Sequence, residues 1–208
     1  MFPVLEVYCA KRGARFQAVD LRWGITEEAQ REHDTLRICL EEVRRCQQLS
    51  PRPNFAVLLG DRYGWEPVPA RIPQDHWRRL MKAATPADRT FITQSYELDT
   101  NAAPPVYCLS KKNPDQATAS RHEADLLQAL RRAAKGFRGS NRLPYLASAT
   151  HQEIALGALA RRDERGEQLH PEQHVHVYVA APEASSHEHL MAHAARDESR
   201  PQQSQHQR

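Results

Sequence analysis

The chain lacks a paired-cysteine motif, a glycine-rich phosphate loop and any long apolar run, and each absence excludes something. Its four cysteines, at 9, 39, 46 and 108, include no CxxC pair. Neither a disulfide framework nor a zinc site is therefore expected, and no metal ligands are assigned. No GxxxxGK[ST], GxGxxG or GxSxG string occurs, which argues against nucleotide hydrolysis by this chain alone and against any resident cofactor. No apolar stretch approaches the roughly 18 to 20 residues of a bilayer span. The start, MFPVLEVYCAKR, places Glu6 inside its first apolar run and has no basic leader, so a cytoplasmic location without membrane contact is expected. Charge of one sign is also lacking, with 29 Lys+Arg against 26 Asp+Glu. Twenty-four of those 29 are arginine, a coding bias more than a nucleic-acid footprint. RNA binding, which would show a steep salt dependence, ranks last.

What is present reads as α/β. Runs of apolar and β-branched residues ending in turn chemistry predict strands at 16–20 (FQAVD), 54–60 (NFAVLLG), 105–109 (PVYCL) and 174–180 (HVHVYVA). A continuous run such as FAVLL suits a strand covered on both faces, as in a parallel sheet. Leu36, Cys39, Leu40, Val43 and Cys46 recur at helical spacing with charges opposite, which predicts a helix with its two thiols reduced and inward. Thr26 is placed to cap it. Together with strands 16–20 and 54–60 this helix would make a βαβ unit with a right-handed crossover. Capping boxes at Ser120/Glu123 and Thr150/Glu153 predict two further helices. Over 71–103 a short helix at DHWRRLMKAA is expected within an insertion that is otherwise loop. Residues 1–181 are read as one domain, and the polar stretch 182–208 as a disordered tail.

In an open parallel sheet, ligands bind beyond the carboxyl ends of the strands. Strand 16–20 runs into DLRWG and strand 54–60 into GDRYGW. Asp20, Arg22, Trp23, Asp61, Arg62, Tyr63 and Trp65 are therefore candidate ligand-binding residues. Arginine grips phosphate or carboxylate, aromatics stack on a base, and Asp accepts ribose hydroxyls. The competing reading makes the glycines turn residues, the two Asp side chains loop anchors and the two Trp rings lids over the sheet end. Glu153 is the candidate catalytic residue, a carboxylate that would stabilise positive charge during cleavage of an N-glycosidic bond. Against this, the Thr150 spacing assigns it to a capping box. His174 with His176, on one strand face, and His189 with His193, on one helix face, are possible metal geometries. A solvated histidine-rich end is the stronger reading of the same residues.

VDLRWGITEE, CLEEVRRC, NFAVLLGDRYGWEPVP, YELDTNAAPPVYCL and SATHQEIALGAL follow one another in an order that resembles the N-terminal module of NACHT and WD-repeat proteins, part of a wider domain family related to TIR domains. The resemblance runs from about residue 2 to 180. It implies a flavodoxin- or TIR-like three-layer fold with a parallel sheet, ahead of a NACHT ATPase and a β-propeller in a STAND-type signal-transduction switch. It further implies a non-catalytic module that binds protein partners or itself. The alternative it leaves open is a glycohydrolase acting on NAD or another nucleoside, with Glu153 as the essential acid. Two departures from the family pattern stand out. The first strand, with its Phe-x-Ser-Ser string, is missing, so a truncated product is expected. His151 stands where relatives carry an acidic residue.

Overall fold

The computed structural model describes residues 2–21, 34–50, 52–60, 63–110, 116–160, 162, 168 and 170–179. The described residues divide into two compact units, one within 1–55 and 63–175, the other within 56–62 and 176–208.

The core of the first unit is a three-stranded antiparallel sheet carrying helices. Its strands are β2 (Arg71–Pro73), β3 (Tyr96–Asp99) and β4 (Val106–Leu109), in the order β2-β4-β3. Ile72 lies opposite Tyr107 across one ladder, and Tyr96 opposite Leu109 across the other. Pro73 is tolerated because β2 is an edge strand. Helices α3 (Gln74–Ala83), α4 (Pro86–Ser95) and α5 (Gln116–Ala133) complete the layer. His76, Trp77 and Leu80 on α3 bury one stripe. Leu126, Leu127, Leu130 and Ala133 on α5 bury another, at the three-and-four spacing of a helix with one apolar face. Thr85 caps α4, its Oγ1 accepting the Asp88 N–H at 3.2 Å, and Pro86 occupies the first turn.

The expected parallel arrangement is corrected here. VYCL does form a strand, but β4 is antiparallel to both of its neighbours. Only residues 100–105 separate β3 from β4, too few for a parallel crossover, so the pair closes as a hairpin. Residues 71–99 are not mostly loop: they supply two of the three strands and two helices. The expected strand 16–20 does not form, because residues 14–20 run as irregular chain with no ladder partner. The βαβ unit is therefore absent, and the segments ending at Asp20 and Gly60 are not paired strands.

Helix α2 (Thr35–Leu49) buries Cys39 and Val43 as its periodicity requires. It starts after Asp34; Thr26, the expected cap, lies outside the described residues. Asp34 makes no cap hydrogen bond, and its carboxylate receives two from the Arg37 guanidinium, at 3.0 and 3.2 Å. All four cysteines are free thiols, with Cys39 buried and the others half-buried. Ser120 falls inside α5, which begins at Gln116, so it is not that helix's cap. A short α6 (Leu143–Leu146) and α7 (Ala149–Gly157) follow. His174 ends the four-residue α8 (Pro171–His174) and does not share a strand face with His176. Helix α1 (Phe2–Ala10) has no fully buried residue, Cys9 being half-buried.

The second unit is a sheet of two parallel strands, β1 (Phe55–Leu59) with β5 (Val175–Val179), whose first residues belong to the other unit. Both strands were expected from their apolar runs. Val57 is buried while Leu58 is exposed, so β1 alternates inward and outward where its continuous apolar run predicted cover on both faces. Among the described residues no helix is long and apolar enough to cross a membrane.

One ion pair fastens α4 to α5. Arg132 donates from Nη2 and Nε to the two carboxylate oxygens of Asp88, at 2.6 and 3.1 Å. These bonds hold the Asp88 carboxyl below the usual carboxylate range. Because the folded value lies below the unfolded one, the pair stabilises at neutral pH, and that contribution is lost as pH falls below about 4 and through the folded pKa. Asp88→Asn is expected to flatten the acid limb of urea-unfolding stability measured from pH 7 to pH 3. An unchanged acid limb would refute the assignment.

Candidate functional site

The motifs singled out in the sequence meet at helix α7. Ser148, fully buried, is its N-cap: Ser148 Oγ accepts the His151 N–H at 3.2 Å. The helix is thus capped two residues before Thr150, by Ser148 alone, and the expected Thr150/Glu153 capping box does not form. SAT offers two cap-competent residues, and the structure uses the first.

The loop from GDRYGW docks on this N-terminus. Trp65 O accepts the Ala149 N–H at 2.8 Å, and the Tyr63 hydroxyl lies 3.0 Å from His151 Nδ1. The same hydroxyl accepts the Ser148 N–H at 3.4 Å. Gly64 takes φ +93°, and a Cβ there would sit 3.4 Å from Thr150 Oγ1. The turn that aims both aromatics thus favours glycine through its positive φ, the Cβ contact itself being of ordinary length. Tyr63 and Trp65 remain 56% and 52% exposed, so the loop is fixed by the Trp65 carbonyl and the Tyr63 hydroxyl while much of both side chains stays open. Trp65 is therefore no buried lid.

Glu153 points elsewhere. Helix α7 packs on α2, where the Glu153 carboxyl lies beside the Cys39 thiol and each influences the other's pKa. Burial raises the pKa of Glu153, and the contact with Cys39 opposes that shift. The Cys39 thiol is pushed up to about 12, first by burial and then by the neighbouring carboxylate. It is protonated at neutral pH and is no nucleophile. Cys39 Sγ also lies 3.7 Å from the Leu21 carbonyl, which ties the start of DLRWG to the same helix pair. Gln47 Nε2 donates to Leu156 O at 3.2 Å, and a Cβ on Gly157 would stand 2.7 Å from the Phe55 ring. The α2–α7 seam is therefore closely fitted along its length.

Asp20 is half-buried in the irregular segment before Leu21, while Arg22, Trp23, Asp61 and Arg62 lie outside the described residues. The contacts of Glu153 with Cys39 and of Tyr63 with His151 had no local signal, since each joins segments far apart in the chain. Only the Ser148 cap, at three residues before His151, could have been read directly.

The chain is 35% identical over 175 residues to NACHT domain- and WD repeat-containing protein 1 of Mus musculus, covering 80% of this chain and 11% of that protein. It is 37% identical over 135 residues to the Homo sapiens protein of the same name, covering 64% of this chain and 9% of that protein. The chain is homologous to NACHT and WD repeat-containing proteins. The homology extends to NACHT and WD repeat domain-containing protein 2 of Mus musculus, 28% identical over 131 residues, or 58% of this chain and 8% of that protein. The chain spans about a tenth of the length of the curated relatives it matches. No family model and no solved structure matches it.

Proposed function

We propose that the chain is a non-catalytic interaction module of a signalling protein of the NACHT and WD-repeat type, with a TIR-related α/β fold. The parallel β1–β5 pair and the helix preceding β1 support the kinship. The observation that carries the function is the pair Tyr63 and Trp65, held on α7 by the Tyr63 hydroxyl and the Trp65 carbonyl with both residues more than half exposed. Large aromatics held rigidly at the surface are the side chains that dominate binding energy in protein interfaces. They need no cofactor and perform no chemistry. A protein partner is the ligand of this module.

Trp65→Ala is expected to weaken binding of the purified partner at least about tenfold, the loss of one hot-spot side chain, with thermal stability little changed because the ring is exposed. The partner is first isolated by pull-down and mass spectrometry and then titrated by calorimetry. Equal affinity of the wild-type and Trp65→Ala chains would overturn this reading.

One observation favours a second reading. Burial raises the pKa of Glu153, a property of general acids, and a glycohydrolase acting on NAD would use that carboxyl. Nicotinamide release that Glu153→Gln abolishes would replace the interaction reading. The carboxyl's engagement with Cys39 favours a structural role.

A further inference from the structure

From residue 126 to residue 152 the chain carries five lysines or arginines and no carboxylate. Two of the five are matched from elsewhere: Arg131 Nη2 pairs with Glu66 Oε1 at 2.6 Å, and Arg132 pairs with Asp88. Lys135, Arg138 and Arg142 are exposed, and none of them has an ion-pair partner among the described residues. A fourth cation joins them from α3. The exposed Arg79 guanidinium lies 4.0 Å over the Phe137 ring, a cation–π contact that holds it against the turn bearing Lys135 and Arg138. The acid nearest to it in sequence is Asp75, one helical turn earlier, and no ion pair joins the two. Four cations therefore stand against one carboxylate, in a chain whose total is only +3. The patch also adjoins the exposed aromatic pair. Glu66 follows Trp65, and its ion pair with Arg131 fastens the Trp65 loop to the last turn of α5, just ahead of Lys135.

We infer that Arg79, Lys135, Arg138 and Arg142 dock an acidic segment of the partner protein, a short stretch of chain bearing several Asp or Glu side chains. This gives the partner of the interaction module proposed above its chemistry, and it rests on that reading. The argument is one of charge and placement. Like charges gathered on one surface repel each other, and an anion laid across them relieves the repulsion. Three of the four are arginine, whose planar fork pairs with a carboxylate through two parallel hydrogen bonds. A nucleic-acid backbone is the poorer fit, since a surface that follows one neutralises on the order of 6–10 phosphates, and four cations around one turn make no such track. An aromatic anchor with charges at its margin is instead the anatomy of a protein interface. Trp65 supplies the anchor, and the Glu66–Arg131 pair leads from it to the patch. Charges so placed steer encounter and select the partner more than they add affinity.

Fluorescence anisotropy of the full chain with labelled octaglutamate tests this. The wild type is expected to bind the peptide, and to bind it at least about tenfold more weakly as salt rises from about 0.05 M to about 0.5 M, where exposed charges are screened within a few ångströms. Arg138→Glu combined with Arg142→Glu should weaken binding at low salt at least about tenfold, because both put like charge against the peptide. Both side chains are exposed and unpaired, so the variant keeps its fold. Arg121→Glu reverses an exposed charge on α5, about 15 Å before Arg131 along the helix, and should change binding less than about twofold. No binding of octaglutamate, or an equal loss from Arg121→Glu, would overturn the inference. Tighter binding of an oligothymidylate of equal charge, or of phosphatidylserine vesicles, lost through the same Arg138 and Arg142 substitutions, would overturn it in favour of nucleic acid or membrane. Failure here leaves the Trp65→Ala titration to be judged on its own, and that titration can fail with octaglutamate still bound.

Discussion

Trp77→Ala is expected to cost about 3–5 kcal/mol of folding stability, the range for removing a buried tryptophan. The indole lies almost flat on the Tyr107 ring, with centroids 3.8 Å apart and planes at 9°, and meets Tyr96 edge-on at 5.8 Å. It joins α3 to both β3 and β4. Tyr96 in turn donates its hydroxyl to Pro69 O at 2.6 Å, so the alanine variant leaves a cavity beside a buried hydrogen bond that depends on the same packing. A loss of that size is a large part of the 5–15 kcal/mol by which domains are stable. The alanine variant should unfold at much lower urea by far-UV circular dichroism. Trp77→Phe, which keeps an aromatic ring against Tyr107, should lose clearly less. If Trp77→Ala costs under about 1 kcal/mol, the stack does not hold the core together.

The second large effect has the opposite sign. His174 is 4% exposed, and both of its ring nitrogens are buried without a hydrogen-bond partner. Its main chain is engaged, since His174 O accepts the Asn54 N–H at 3.0 Å. Burial holds the imidazole pKa down, with the positive charge of Arg52 adding to the shift. The unfolded chain therefore takes up a proton near pH 6.5 that the folded chain refuses until lower pH. Stability falls as pH descends from about 6.5 toward the folded pKa and levels off below it. His174→Leu, of similar volume, removes two orphaned polar atoms and the titration together. It is expected to raise stability at pH 8 by about 1–3 kcal/mol, the cost of a buried unsatisfied group, and to flatten the slope between roughly pH 5 and 7. Urea melts at pH 5, 6, 7 and 8 decide it: a leucine variant no more stable than wild type at pH 8 contradicts the assignment.

Legibility in the sequence followed the physics of each signal. Helices α2 and α5 and strands β1, β4 and β5 were readable because burial imprints its period on the side chains, as Leu126, Leu127, Leu130 and Ala133 show. FQAVD carries the same apolar content yet forms no strand, because a strand exists only by pairing, and pairing partners leave no local trace. Strands β2 and β3, RIP and YELD, are three and four residues long and partly polar, too short for alternation to register. Helix α4, PADRTFITQS, is rich in β-branched and aromatic residues, and only Thr85 and Pro86 at its start announce it. At the candidate site the GDRYGW and SATHQE strings were singled out for their residue types. Their meeting through Tyr63 and His151, and the turn of Glu153 toward Cys39, depend on tertiary packing that spacing alone cannot reveal.

Every member of the main apolar cluster falls between Val68 and Tyr145. The strands and helices that share this core therefore lie within one continuous stretch of chain. No residue of α7 or β5 belongs to it. Sequence change in the flanks, residues 2–50 or 149–179, therefore leaves every member of that cluster in place.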